Sequence, residues 1–100
     1  MKIEKRENGR EITLMLEGRL DMATAPQLEA EINAVLEGAE MMILDFEKLE
    51  YLSSAGLRVL LSTHKAFMKK ADGKMVIRHV NEIINEVFEV TGFLDILNIE

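Results

Sequence analysis

The sequence predicts an α/β domain: a mainly parallel or mixed sheet of four to five strands with helices packed against it. Three observations carry that prediction. Apolar residues recur at strand spacing and at helical spacing in alternating segments, as a sheet with crossover helices requires. The run Met41-Met42-Ile43-Leu44 is apolar without a break, which suits a strand buried on both faces. Asn8-Gly9 sits between two short strand-like runs, where a tight hairpin turn belongs.

The elements follow in order. Residues 2–6 read as a first strand. Residues 11–17 read as a second, with Ile12, Leu14 and Leu16 on one face and Thr13 and Met15 on the other. Asn8 and Gly9 both tolerate positive φ, so the hairpin turn is placed on them. A helix starts at Thr24-Ala25-Pro26-Gln27: Thr24 can cap, Pro26 fits the first turn, and Gln27 holds the capping-box position. Leu28, Ile32, Val35 and Leu36 form its apolar stripe, and Gly38 its stop. The strand at Met41–Leu44 ends at Asp45. A second helix is expected from about Ala55 to Lys70, burying Leu57, Leu60, Leu61, His64 and Met68 and turning Arg58, Ser62, Lys65 and Lys69 outward. Asp72-Gly73 leads into a strand at Met75-Val76-Ile77. A third helix carries Ile83, Ile84, Val87 and Phe88 on one face, with Gly92 beyond its end. Phe93, Leu94, Ile96 and Leu97 then pack back onto the body. In such sheets the functional surface lies beyond the carboxyl ends of the strands. That rule singles out Asp45 and the segment after it.

Composition narrows the function. The 100 residues fit one domain spanning 1–100, with no repeat, low-complexity tract or linker. There is no cysteine, which excludes disulfides and thiolate zinc sites and fits a cytoplasmic protein. The first residues are charged and no apolar run approaches a membrane span, so neither a secretory leader nor a membrane partner is expected. A net charge of -6 argues against nucleic acid, whose binding rests on lysine and arginine. No Gly-x-Ser-x-Gly elbow, phosphate-binding glycine loop or clustered metal-ligand spacing is present. The expectation is a binding protein with no catalytic residues, no cofactor and no metal. His64 and His79 read as structural or surface residues.

The informative segment runs from Asp45 to Leu57 and ends in Leu52-Ser53-Ser54-Ala55-Gly56-Leu57. It joins a buried strand to an amphipathic helix through four small residues. One reading is purely structural: serine caps helices, and small residues let a helix lie close to a sheet. The other is functional. A helix N-terminus tolerates an anion, so a phosphoryl group on Ser53 or Ser54 would add charge without unfolding the domain. Asp45 and Asp21 are the carboxylates expected to repel it. Met22, in a turn nearby, is a candidate partner contact.

This segment resembles the signature of STAS domains, above all the stand-alone anti-sigma-factor antagonists. There an Asp closes a central strand, and a serine-rich turn before Gly-Leu opens the next helix. Gly18-Arg19-Leu20-Asp21 followed by Thr24-Ala25 resembles the family's Gly-x-Leu-Asp segment, and Thr91-Gly92-Phe93-Leu94 its closing segment. The likeness covers nearly the whole chain. It departs at Ala55, which stands where many members carry the modified hydroxyl directly before the glycine. The resemblance implies phosphorylation at Ser54, with Ser53 as the alternative. It implies a partner surface of Asp21, Thr24, Asp45, Ser53, Ser54, Ala55, Gly56, Leu57 and Arg58. The implied partners are an anti-sigma factor that is also a serine kinase of the GHKL type, and a PP2C-like phosphatase. Two other readings stand beside it: a nucleotide or other small-ligand sensor, and a constitutive STAS subunit of a transport complex.

Overall fold

The computed structural model describes residues 1–100. Its strands are β1 (Lys2–Asn8), β2 (Glu11–Leu20), β3 (Met41–Leu52), β4 (Lys74–Arg78) and β5 (Asn98–Ile99). Its helices are α1 (Ala25–Val35), α2 (Ser54–Met68) and α3 (Glu82–Thr91), with a 3₁₀ turn at Phe93–Asp95. The strands form one mixed sheet in the order β1-β2-β3-β4-β5. β1 and β2 are antiparallel, and every other neighbouring pair is parallel. The expected mixed sheet with packed helices forms, with five strands of the four to five expected.

The register places Ile12, Met42 and Met75 side by side, with Leu14, Leu44 and Ile77 beside them. These residues share one face of the sheet. Leu28 and Ile32 of α1, Leu57, Leu60 and Phe67 of α2, and Ile84 and Phe88 of α3 join them in a single buried cluster. Phe46 is fully buried in that cluster, its ring 6.4 Å from that of Phe88. Strands alternate side chains between faces, so Ile43 and Val76 point the other way. They are buried as well but lie outside the cluster.

Several local expectations shift. The hairpin turn sits on Gly9 and Arg10, because Asn8 pairs with Glu11. Only Gly9 of the two has positive φ, the pattern of a turn with glycine at its first central position. The capping box at α1 does not form: Gln27 Nε2 donates to the carbonyl of Met1 instead. Nor does Gly38 end α1 in a left-handed cap. The Lys70 ammonium donates to the carbonyls of Leu36, Glu37 and Ala39, which supplies the partners a helix end needs. In α2 the buried face includes Val59, Thr63 and Phe67, whereas Met68 is exposed. Thr63 can be buried because its hydroxyl donates to the Val59 carbonyl. Ile83 is likewise exposed at the start of α3.

The largest change is in β3. It does not end at Asp45 but continues to Leu52, twelve residues in all. Met15 pairs with Asp45, Glu17 with Lys48, Gly18 with Leu49 and Arg19 with Tyr51. Two register shifts therefore insert extra residues into β3. Phe46, Leu49 and Leu52 consequently face the core at a spacing of three. Polar pairs between them, Glu47-Lys48 and Glu50-Tyr51, imitate a loop.

Candidate functional site

The serine turn forms where β3 passes into α2. Ser53 has extended backbone and is the N-cap of α2; its Oγ accepts a long hydrogen bond from Gly56 N, 3.5 Å. Its own N–H donates to the carbonyl of Leu20 at 2.9 Å, which ties the turn to the end of β2. Ser54 is the first residue of the helix and is exposed. Its hydroxyl takes part in none of the chain's side-chain hydrogen bonds, in contrast to Ser53. The two adjacent serines thus do different work: one holds the helix, the other faces solvent.

Gly56 and Leu57 are buried. They set how closely α2 lies on the sheet and offer a partner little surface of their own. A Cβ on Gly56 would lie 2.6 Å from Leu52 Cδ1 and 2.7 Å from Leu20 Cγ. Gly56→Ala should therefore destabilise the domain by about 1–2 kcal/mol, because overpacking a core outweighs the gain in helix propensity. A urea midpoint equal to or above the wild type would show that Leu20 and Leu52 give way freely.

Asp21 and Thr24 build the neighbouring turn. Asp21 Oδ1 accepts from the N–H groups of Ala23 at 3.0 Å and Thr24 at 3.2 Å. The Thr24 hydroxyl accepts from Asp21 N at 2.9 Å and donates to the Arg19 carbonyl at 2.7 Å. Thr24 therefore spends its hydroxyl on the loop before α1 rather than on capping the helix. Desolvation raises the Asp21 pKa, but the N–H groups of Thr24 and Ala23, the Thr24 hydroxyl and the Arg19 charge hold it below the ordinary value. Asp21 remains anionic beside the serine turn. Met22, beside it, is 82% exposed. Arg19 lies over the Tyr51 ring, 4.1 Å from guanidinium carbon to centroid. Neither residue was singled out as a pair from the sequence. Their meeting depends on the shifted register of β3.

Asp45 stands apart from this surface. It lies seven strand residues before Leu52, roughly 20 Å away at the usual rise per residue. It therefore cannot act as the local repulsive carboxylate expected of it. Its Oδ1 accepts from Glu47 N at 2.9 Å and lies 2.9 Å from His79 Nδ1. Desolvation raises the Asp45 pKa, but the Glu47 N–H and His79 outweigh it and hold the group below its ordinary value. His79 is raised in turn by its hydrogen bond to Asp45 and by that carboxylate's charge. The other histidine, His64, is buried on α2, and its Nδ1 makes no hydrogen bond.

Ser54 and Arg58 are exposed at the start of α2, with Ala55 partly covered, and Met22, Ala23 and Tyr51 are exposed on the adjoining segments. Ser53 and Ser54 line none of the four principal pockets. This surface offers one free hydroxyl at a helix N-terminus. No helix of the chain is long and apolar enough to cross a membrane.

Comparison with known proteins follows the same frame. The family model described as the STAS domain matches residues 2–100. The chain is 42% identical over 82 residues to BtrV of Bordetella bronchiseptica, named there as a candidate anti-sigma factor antagonist; the match covers 81% of this chain and 70% of that one. It is 29% identical to the anti-sigma-B factor antagonist of Bacillus subtilis, over 97% of this chain and 88% of the relative. Among solved structures, the phosphorylated form of the Bacillus cell fate determinant SpoIIAA superposes with a TM-score of 0.77 at 18% identity. That superposition covers 99% of this chain and 91% of the other.

Proposed function

The chain belongs to the STAS domain family, among its anti-sigma-factor antagonists, and we propose that it is a phosphorylation-controlled switch whose acceptor is Ser54. Anti-sigma-factor antagonists bind an anti-sigma factor; they act by binding rather than by catalysis. In the proposed cycle the unphosphorylated form holds an anti-sigma factor that is also a serine kinase of the GHKL type, and so frees that factor's client. The kinase transfers a phosphoryl group to Ser54 and the complex comes apart. A PP2C-like phosphatase restores the binding form.

The observation that carries this reading is the division of labour between the two serines. Ser53 is committed to the helix cap, while Ser54 is exposed with its hydroxyl free. A phosphoryl group there adds about -1.5 to -2 charge. The unpaired amides and dipole of the α2 N-terminus favour that charge, so the domain keeps its fold. The carboxylate of Asp21, not that of Asp45, is the one on the same surface. The bound partner meets a new dianion where it had met a neutral hydroxyl. Desolvation and repulsion then act against the interface alone.

Intact-mass measurement after incubation with the kinase and ATP tests this reading. One added phosphate is expected on the wild type and none on Ser54→Ala, which should still bind. Full incorporation into Ser54→Ala would move the acceptor to Ser53. No incorporation into wild type that binds the kinase would make the protein a constitutive binding subunit.

A further inference from the structure

We propose that Asp45, Glu47 and His79 form a binding site for a divalent transition-metal ion of the zinc class, with open positions left for water. One donor atom from each of the three residues lies within 4.8 Å of the others. Imidazole and carboxylate together suit such ions, which take these ligands at about 2.0–2.2 Å. Glu47 and His79 are exposed, so small side-chain rotations bring the three donors onto one ion. Asp45, half-buried, is the fixed member.

Two independent irregularities of the backbone create this convergence. The first register shift of β3 falls between Asp45 and Lys48 and re-aims Glu47, whose N–H turns back onto Asp45 Oδ1. His79 has φ 60°, the only non-glycine residue of the chain in the left-handed region. That conformation is costly for a side chain bearing a Cβ, and such residues collect at ligand clamps. It sets the ring against Asp45 immediately after β4.

The local charge is compatible with a cation beyond the His79 ring. Asp45 and Glu47 contribute two negative charges beside one imidazole. Of the neighbouring cations, Arg78 Nε is 2.7 Å from Glu100 Oε1 while its charge also acts on Asp45, and Lys48 Nζ is 3.8 Å from Glu17 Oε1. Glu47 makes no ion pair with any of them. A divalent ion neutralises the group and ties β3 to the segment after β4. The site is independent of the serine turn, which lies seven strand residues farther along β3, and its test involves no kinase.

The experiment is calorimetric titration of the full chain with zinc chloride, beside His79→Gly and Glu47→Gln. Glycine adopts φ 60° freely and Glu47 is exposed, so both variants should fold, which circular dichroism checks. The wild type is expected to bind one zinc ion. Each variant should bind more weakly by more than the roughly tenfold that losing a supporting hydrogen bond costs a metal site. Absence of binding to the wild type, or unchanged affinity in either variant, overturns the three-residue site.

Discussion

Ser54→Asp is expected to weaken the complex with the anti-sigma factor by roughly 30-fold, about 2 kcal/mol, while leaving the melting temperature nearly unchanged. The first half of that expectation follows from where the charge appears. Ser54 is exposed at the mouth of the turn, beside the anionic Asp21 and the projecting Met22. A carboxylate there must be desolvated against the partner or must face its like charges. The second half follows from the helix. An acid in the first turn of α2 meets unpaired amides and a favourable dipole, and the first turn contains no acidic residue in the wild type. Calorimetric titration with the partner, paired with a thermal melt, reads both quantities. Wild-type affinity in the variant would place the interface elsewhere on the domain. A large drop in melting temperature would mean that the residue serves the fold.

Phe46→Ala should do the reverse and strongly destabilise the domain without touching the surface. Phe46 is fully buried and its ring packs on Phe88, joining α3 to the central strand. Truncating a buried phenylalanine costs about 3–5 kcal/mol through lost transfer energy and the cavity that remains. Domains of this size hold only about 5–15 kcal/mol in total. Each kcal/mol corresponds to about 4–8 °C, so the midpoint should fall by some 15 °C or more. A fall of only a few degrees would show that Phe88 and its neighbours collapse into the space, and that α3 depends little on this contact.

The frame of the fold was legible because it rests on local periodicity. Alternating Ile12, Leu14 and Leu16 and the stripe of Leu28, Ile32, Val35 and Leu36 each give a clear period, and the unbroken run Met41–Leu44 suits a strand buried on both faces. The second half of β3 was not legible because its bulges replace the period of two by a period of three. No local pattern distinguishes Glu47-Lys48 and Glu50-Tyr51 from loop residues. The buried face of α2 was partly misread for another reason. Thr63 is polar, and only its bond to the Val59 carbonyl makes its burial acceptable, so its residue type hides its place in the core. The two-residue β5 is too short to show any period.

The serine turn was legible as a helix entrance, since small residues and a cap leave a local signature. Which serine caps and which faces solvent follows from one residue of phase at the strand–helix junction, and the sequence leaves that phase open. Asp45 was found, but its surroundings were not. The contacts with Glu47 and His79 depend on a bulge and on a left-handed histidine, and the second arises from residues thirty-four positions apart in the chain. Sequence patterns carry no such information.

The strand order has a kinetic consequence. Each strand of the sheet lies beside the one that precedes it in the chain, so no pairing joins distant parts of the polypeptide across unformed structure. The entropy lost in closing a loop grows with its length, and here every closure is a single crossover or the β1–β2 hairpin. The sheet can grow from the hairpin outward by one docking event at a time. Refolding should be quick for a sheet protein.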